Sequence, residues 1–144
     1  MQAVRGRVAV YVTRDGGAGT ELLVFDHRDH PEAGTQVPAG GVGAGEHLTA
    51  AAVREVLEET GLADVVPERR LGTQHRLHPA TGRPQETTYF WATTRDQRPC
   101  WRHTVDGSGA DAGLVFDCWF LPLVAAVGRL ADGQDEFLAA LVNR

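Results

Sequence analysis

Residues 5–13 read Arg, Gly, Arg, Val, Ala, Val, Tyr, Val, Thr, a partly alternating stretch rich in β-branched side chains that predicts a strand. Asp15, Gly16 and Gly17 supply a turn, and residues 21–27 repeat the pattern, so the first two elements are expected to be neighbouring strands. Residues 29–45 are crowded with Gly and Pro, which leaves room at most for a short strand at Gln36 and Val37.

The period then changes. Over residues 47–60 Gly and Pro vanish, helix formers dominate, and Leu48, Ala51, Ala52 and Val56 recur at helical spacing. The spacing predicts a helix with that face buried and Gly61 as its stop. No Ser, Thr, Asp or Asn stands at the expected cap near Glu46 and His47.

Strands are predicted over residues 69–77 and 86–94, joined by the turn-rich residues 79–84. A polar loop over residues 95–112 leads to a strand at about 114–121, and residues 124–130 and 135–142 have helical composition. Strands around one central helix, with a helix closing the chain, predict an α/β (α+β) layered fold, and residues 1–144 read as one domain. Phe137, Leu138, Leu141 and Val142 suit packing onto the sheet and equally a homodimer contact.

Composition narrows the class. With 42% hydrophobic and 23% charged residues the chain is an ordinary globular one, neither disordered nor collagen-like. The net charge of −5, without a basic run, argues against a nucleic-acid polymer as partner and leaves small anions that a cation could mediate. No stretch approaches the ~18 apolar residues of a membrane span, and the start lacks the regions of a signal peptide, so a cytoplasmic location is expected. Cys100 and Cys118 read as reduced thiols, the second inside a buried strand.

Chemistry concentrates on the central helix. Glu55, Glu58 and Glu59 stand at i, i+3 and i+4, so three carboxylates share one side. Like charges so placed cost about 0.2–0.5 kcal/mol per pair, a cost that a divalent cation would reverse. Taken alone, the three describe a solvated acidic face with Arg54 paired to Glu58.

The upstream spacing changes that reading. Gly40, five residues, Glu46, seven residues, then Arg54, Glu55, Val56, Leu57, Glu58, Glu59, Thr60, Gly61 and Leu62 is similar at every defining position to the 23-residue box of the Nudix hydrolase family. Val37, Pro38, Ala39, Gly40 and Gly41 resemble the family's strand-to-loop approach to the box, and the strand order resembles its αβα sandwich with a mixed β-sheet. The chain departs from many members at Gly43, often acidic, and at His47, often Ser or Thr.

The resemblance implies a Mg²⁺-dependent (or Mn²⁺-dependent) hydrolase cutting the diphosphate linkage of a nucleoside diphosphate joined to another moiety. It implies Glu58 and Glu59 as metal ligands, Glu55 as ligand or base, and the Ala39 carbonyl as a further oxygen donor. Arg54 would orient a carboxylate and Glu46 would support the cluster. Hard carboxylate oxygens suit Mg²⁺, which bridges to phosphate oxygens. The alternative is a catalytically silent Nudix-fold sensor or regulatory module, in which the glutamates would be expected to be lost.

Outside the box, Glu86, Asp106 and Asp111 are candidates for a further acid, with Asp111 preferred and a turn role as its plainer reading. Arg28 and Arg76 are candidate phosphate contacts, and Trp101 is the tryptophan best placed to stack on a base. His75 and His78, an odd number apart in a strand, should point to opposite faces.

Overall fold

The computed structural model describes residues 3–107 and 111–142. Seven strands form one mixed sheet: β1 (Arg5–Asp15), β2 (Thr20–His27), β3 (Ala39–Gly41), β4 (Val66–Leu77), β5 (Pro84–Thr93), β6 (Cys100–Thr104) and β7 (Val115–Pro122). Their order is β4-β5-β1-β2-β7-β6, with β3 added to β1. β1 is long enough to serve two partners on one edge: Arg7 to Ala9 pair with β3, and Thr13 to Asp15 pair with β2. Its other edge runs parallel to β5 from Arg5 to Thr13.

Alternation along β1 divides the core. Val8, Val10 and Val12 pack with Ala51, Ala52 and Val56 of helix α1 (Leu48–Thr60) on one face. Ala9 and Tyr11 face the other side, where Leu130, Leu138 and Leu141 of the C-terminal segment cover them. The layers are helix, sheet, helical segment, the αβα sandwich expected. Leu138 and Leu141 are buried, so the apolar spacing of the tail serves packing onto the sheet.

α1 begins after His47 with no side-chain cap and ends at Gly61, whose φ of 74° and N–H bond to the Leu57 carbonyl at 2.8 Å close the last turn.

Three expectations are corrected. The polar stretch 95–112 contains β6, which pairs with β7 from Cys100 to Thr104. Its residues are exposed or half-buried in alternation, so it has no apolar signature and owes its shape to its partner. At Gln36 and Val37, where at most a short strand is expected, there is a single bridge from Gln36 to Phe25, and the strand β3 lies further on, within the stretch read as loop. The tail yields only one-turn helices, α2 (Leu123–Ala126) and α3 (Ala139–Val142), because Gly128 and Gly133 sit at positive φ and interrupt it.

Candidate active site

The carboxylates of α1 are not a solvated face. Glu55 is 7% exposed and Glu59 4%, while Glu58 is half-buried. They line a hollow of about 240 Å³ together with Arg5, Arg7, Gly40 and Asp111. An adjoining hollow of about 220 Å³ shares Arg5, Arg7, Ala39, Glu59 and Asp111 with it, so the two form one cleft. A larger cavity of about 700 Å³, bordered by Thr13, Trp91 and Leu141, lies at the other end of β1, away from these carboxylates.

Arg54 organises the cluster. Its Nε and Nη2 bind the two Glu46 oxygens at 2.7 and 2.9 Å, and Nη1 reaches Glu55 at 2.8 Å and Glu58 at 3.2 Å. Nη2 also bonds the Gly41 carbonyl at 2.8 Å, tying β3 to the helix. The guanidinium fork fits this paired recognition as a lysine could not. Its bonds, with the Gly43 N–H second, hold the Glu46 carboxyl down at about 2.

Glu59 is the least compensated of the three. The Ala39 N–H donates to its Oε1 at 2.8 Å. Burial pushes its carboxyl well above the usual range, and the nearby charges of Glu55 and Asp111 add to that against the Ala39 bond. Glu55 is likewise raised, first by burial, with Arg54 opposing. At Gly40 a Cβ would run into the Glu55 carboxylate, so the main chain of β3 lies directly against that side chain.

The far end of α1 is braced by β6. His103 Nε2 donates to the Glu58 carbonyl at 2.9 Å, the Asp106 N–H reaches the same oxygen at 3.1 Å, and Trp101 Nε1 donates to the Thr60 carbonyl at 2.7 Å. Helix-terminal carbonyls lacking intrahelical partners are satisfied this way.

Among the sequence candidates, the cleft gathers Glu55, Glu58, Glu59, Ala39, Asp106, Asp111 and Arg76. Glu86 lies apart, 4.0 Å from His75. Arg28 does not line the cleft and is paired with Asp29 at 3.0 Å. Trp101 lies outside it too, its N–H on Thr60 and its ring near Phe120 and under Arg98. Sequence reasoning passed over Arg5, Arg7 and His103. The two arginines carried a signal, an i, i+2 pair that a strand puts on one face.

This arrangement has relatives. A model of the NUDIX domain matches residues 4–141. The chain belongs to the Nudix family. An RNA pyrophosphohydrolase from Roseobacter denitrificans (strain ATCC 33942 / OCh 114) is 47% identical over 66 residues, a segment that is 43% of this chain and 41% of that protein. Solved structures with a similar fold include two named for nucleotide-type ligands. One is a C. elegans Ap4A hydrolase binary complex, with TM-score 0.71 and 19% identity over 97% of this chain and 96% of that one. The other is the NUDIX domain of Shewanella oneidensis NrtR complexed with ADP ribose, with TM-score 0.72 and 17% identity over 100% and 90%.

Nudix hydrolases work with a divalent cation, and the Nudix helix has suitable donors for one. Among the described residues no three His, Cys, Asp or Glu side chains already converge to hold an ion. The carboxylates are instead drawn onto Arg54 and the Ala39 N–H. Their chemistry still fits: all are hard oxygens, and the buried Glu59 has no cationic side chain bonded to it among the described residues.

Proposed function

We propose that the chain is a Mg²⁺-dependent hydrolase that cuts the diphosphate linkage of a small nucleoside-diphosphate-like compound by attack of water on phosphorus. The observation that carries this reading is the burial of Glu55 and Glu59 in a cleft that Arg5 and Arg7 also line. Carboxylates held out of water without full compensation are unfavourable, so the fold keeps them there at a cost that a bound cation offsets.

When bound, Mg²⁺ would lower the pKa of a water and neutralise phosphate charge, and Mn²⁺ would suit the same oxygens. In this reading Glu58 and Glu59 are ligands, with the Ala39 carbonyl and Asp111 as further oxygen donors. Glu55 is a ligand or takes the proton from water. Arg54 fixes the directions of Glu55 and Glu58 by charge-assisted bonds, and Glu46 holds Arg54 in turn. The Ala39 N–H holds Glu59 against β3.

The test is a turnover panel of ADP-ribose, nucleotide sugars, Ap4A, nucleoside triphosphates and 5′-triphosphorylated RNA. Activity should require Mg²⁺ or Mn²⁺ and vanish in EDTA, and Glu58→Gln should lower kcat by orders of magnitude with the fold intact. Turnover of nothing on the panel would favour a Nudix-fold sensor.

A further inference from the structure

The strand register lays two polar rows side by side on the sheet face that carries Ala9 and Tyr89. Arg5, Gln85 and Arg76 are partners across β1, β5 and β4, and Arg7, Thr87 and Gln74 form the next row. Directly opposed residues share a face, and positions two apart on a strand share it too. The six side chains therefore make one surface about 10 Å wide, two interstrand spacings. All of them line the second hollow of the cleft, which is continuous with the Glu59 end.

The next row closes the surface. Tyr89 packs against Tyr11 and Phe137, with ring centroids 5.4 and 5.1 Å away, and a Cβ at Gly72 would meet the Phe137 ring at 2.5 Å. The outer wall is held in place from the platform itself. Arg76 bonds the Asp132 carbonyl, and Gln74 Nε2 reaches the Gly133 carbonyl at 3.1 Å and Glu136 at 2.9 Å.

Arg5 and Arg7 are held differently. Among the described residues no carboxylate lies at ion-pair distance from either. The Arg7 Nε is buried and, among the described residues, has no hydrogen-bond partner. A desolvated, unpartnered guanidinium nitrogen is unfavourable in the free protein and is satisfied when a ligand brings an acceptor.

We propose that this platform is a subsite for a linear chain of phosphates running on from the cut linkage. The substrate class is then a nucleoside compound with three or more phosphates in a row, not a nucleoside diphosphate joined to a sugar. Guanidinium forks match phosphate oxygens in pairs, whereas a neutral sugar would leave both cations uncompensated. Aromatic recognition of a base is poorly served here. Tyr89 is buried in the core, and His78 Nδ1 accepts the Ala80 and Thr81 N–H groups at 3.1 Å.

The inference rests on the hydrolase reading for where the cut falls, but its test does not need turnover. Inorganic tripolyphosphate and inorganic pyrophosphate are titrated calorimetrically into the full chain in Mg²⁺. Tripolyphosphate should bind about tenfold to a hundredfold tighter, and the Arg5→Gln/Arg7→Gln double variant should lose that preference. Arg129→Gln, which removes an exposed charge elsewhere, should keep it. Arg5→Gln alone, at an exposed position, should lose part of the preference and serves if the double variant fails to fold. Equal affinities, or a preference untouched by the arginine variants, would overturn the proposal. Arginine-dependent binding in a protein that hydrolyses nothing on the panel would support the subsite and sink the hydrolase. Turnover without arginine-dependent preference would do the reverse.

Discussion

His103 Nε2 lies 2.9 Å from the main-chain carbonyl oxygen of Glu58. A carbonyl only accepts, so the imidazole carries its proton on Nε2, and an edge strand thereby grips the helix at the residue whose side chain faces the cleft. His103→Leu should reduce kcat, or raise the Mg²⁺ concentration needed for half-activation, by about 10- to 100-fold, as loss of a bond supporting the proposed metal ligand Glu58 would. His103→Gln, which places an amide N–H near the same point, should recover much of it. A variant series in which thermal stability falls but the Mg²⁺ requirement does not move would reduce His103 to a packing residue.

The Glu46–Arg54 pair gives a pH signature. Arg54 and the Gly43 N–H hold the folded Glu46 carboxyl at about 2, against an ordinary value of 4.5. A group depressed in the folded state contributes stability that is complete above 4.5 and is lost as pH falls through about 2. The melting temperatures of wild type and Glu46→Gln should therefore differ at pH 6 and converge between pH 4.5 and 2. A difference that stays constant across that window would show that the bond, not the charge, does the holding.

How much of this was legible in the sequence depends on how far each feature reaches along the chain. α1 and its glutamates are local: helical spacing and the distances from Gly40 and Glu46 to Gly61 specify them within 22 positions of one another. β6 was not legible, because a short strand between polar neighbours has no periodicity until β7 pairs with it. The platform is less legible still. Arg5 and Arg76 lie at opposite ends of a row that exists only once β5 is set between β1 and β4. Trp101 illustrates a different limit, since composition marks it as aromatic in a polar stretch but cannot say that its N–H faces Thr60.

The two thiols should behave unequally. Cys100 is exposed, whereas burial pushes the Cys118 thiol up to about 12. The thiolate is the reactive form, so at pH 8 a thiol reagent should modify one cysteine per native chain and a second only in denaturant. The raised Cys118 value also means that its contribution to stability is intact below 9 and is lost as pH rises from 9 towards 12. Two rapid equivalents at pH 8 in the native protein would contradict this burial.

Gly40 and Gly61 bound the helix segment, and each excludes a side chain for a different reason. Gly61 combines a φ of 74° with a Cβ position 2.8 Å from His103 Nδ1, so Gly61→Ala must strain the backbone and displace the ring. It should destabilise the fold by about 1–3 kcal/mol in chemical denaturation. Gly40 has no such backbone constraint, but its Cβ would occupy the space of the Glu55 carboxylate, the movable end of a flexible side chain. Gly40→Ala should therefore unfold at nearly the wild-type denaturant concentration while losing most turnover, because the group displaced is the one proposed to act as ligand or base. If both variants lost stability equally and activity only in proportion to it, Glu55 would be a structural residue and its place in the reaction would fall.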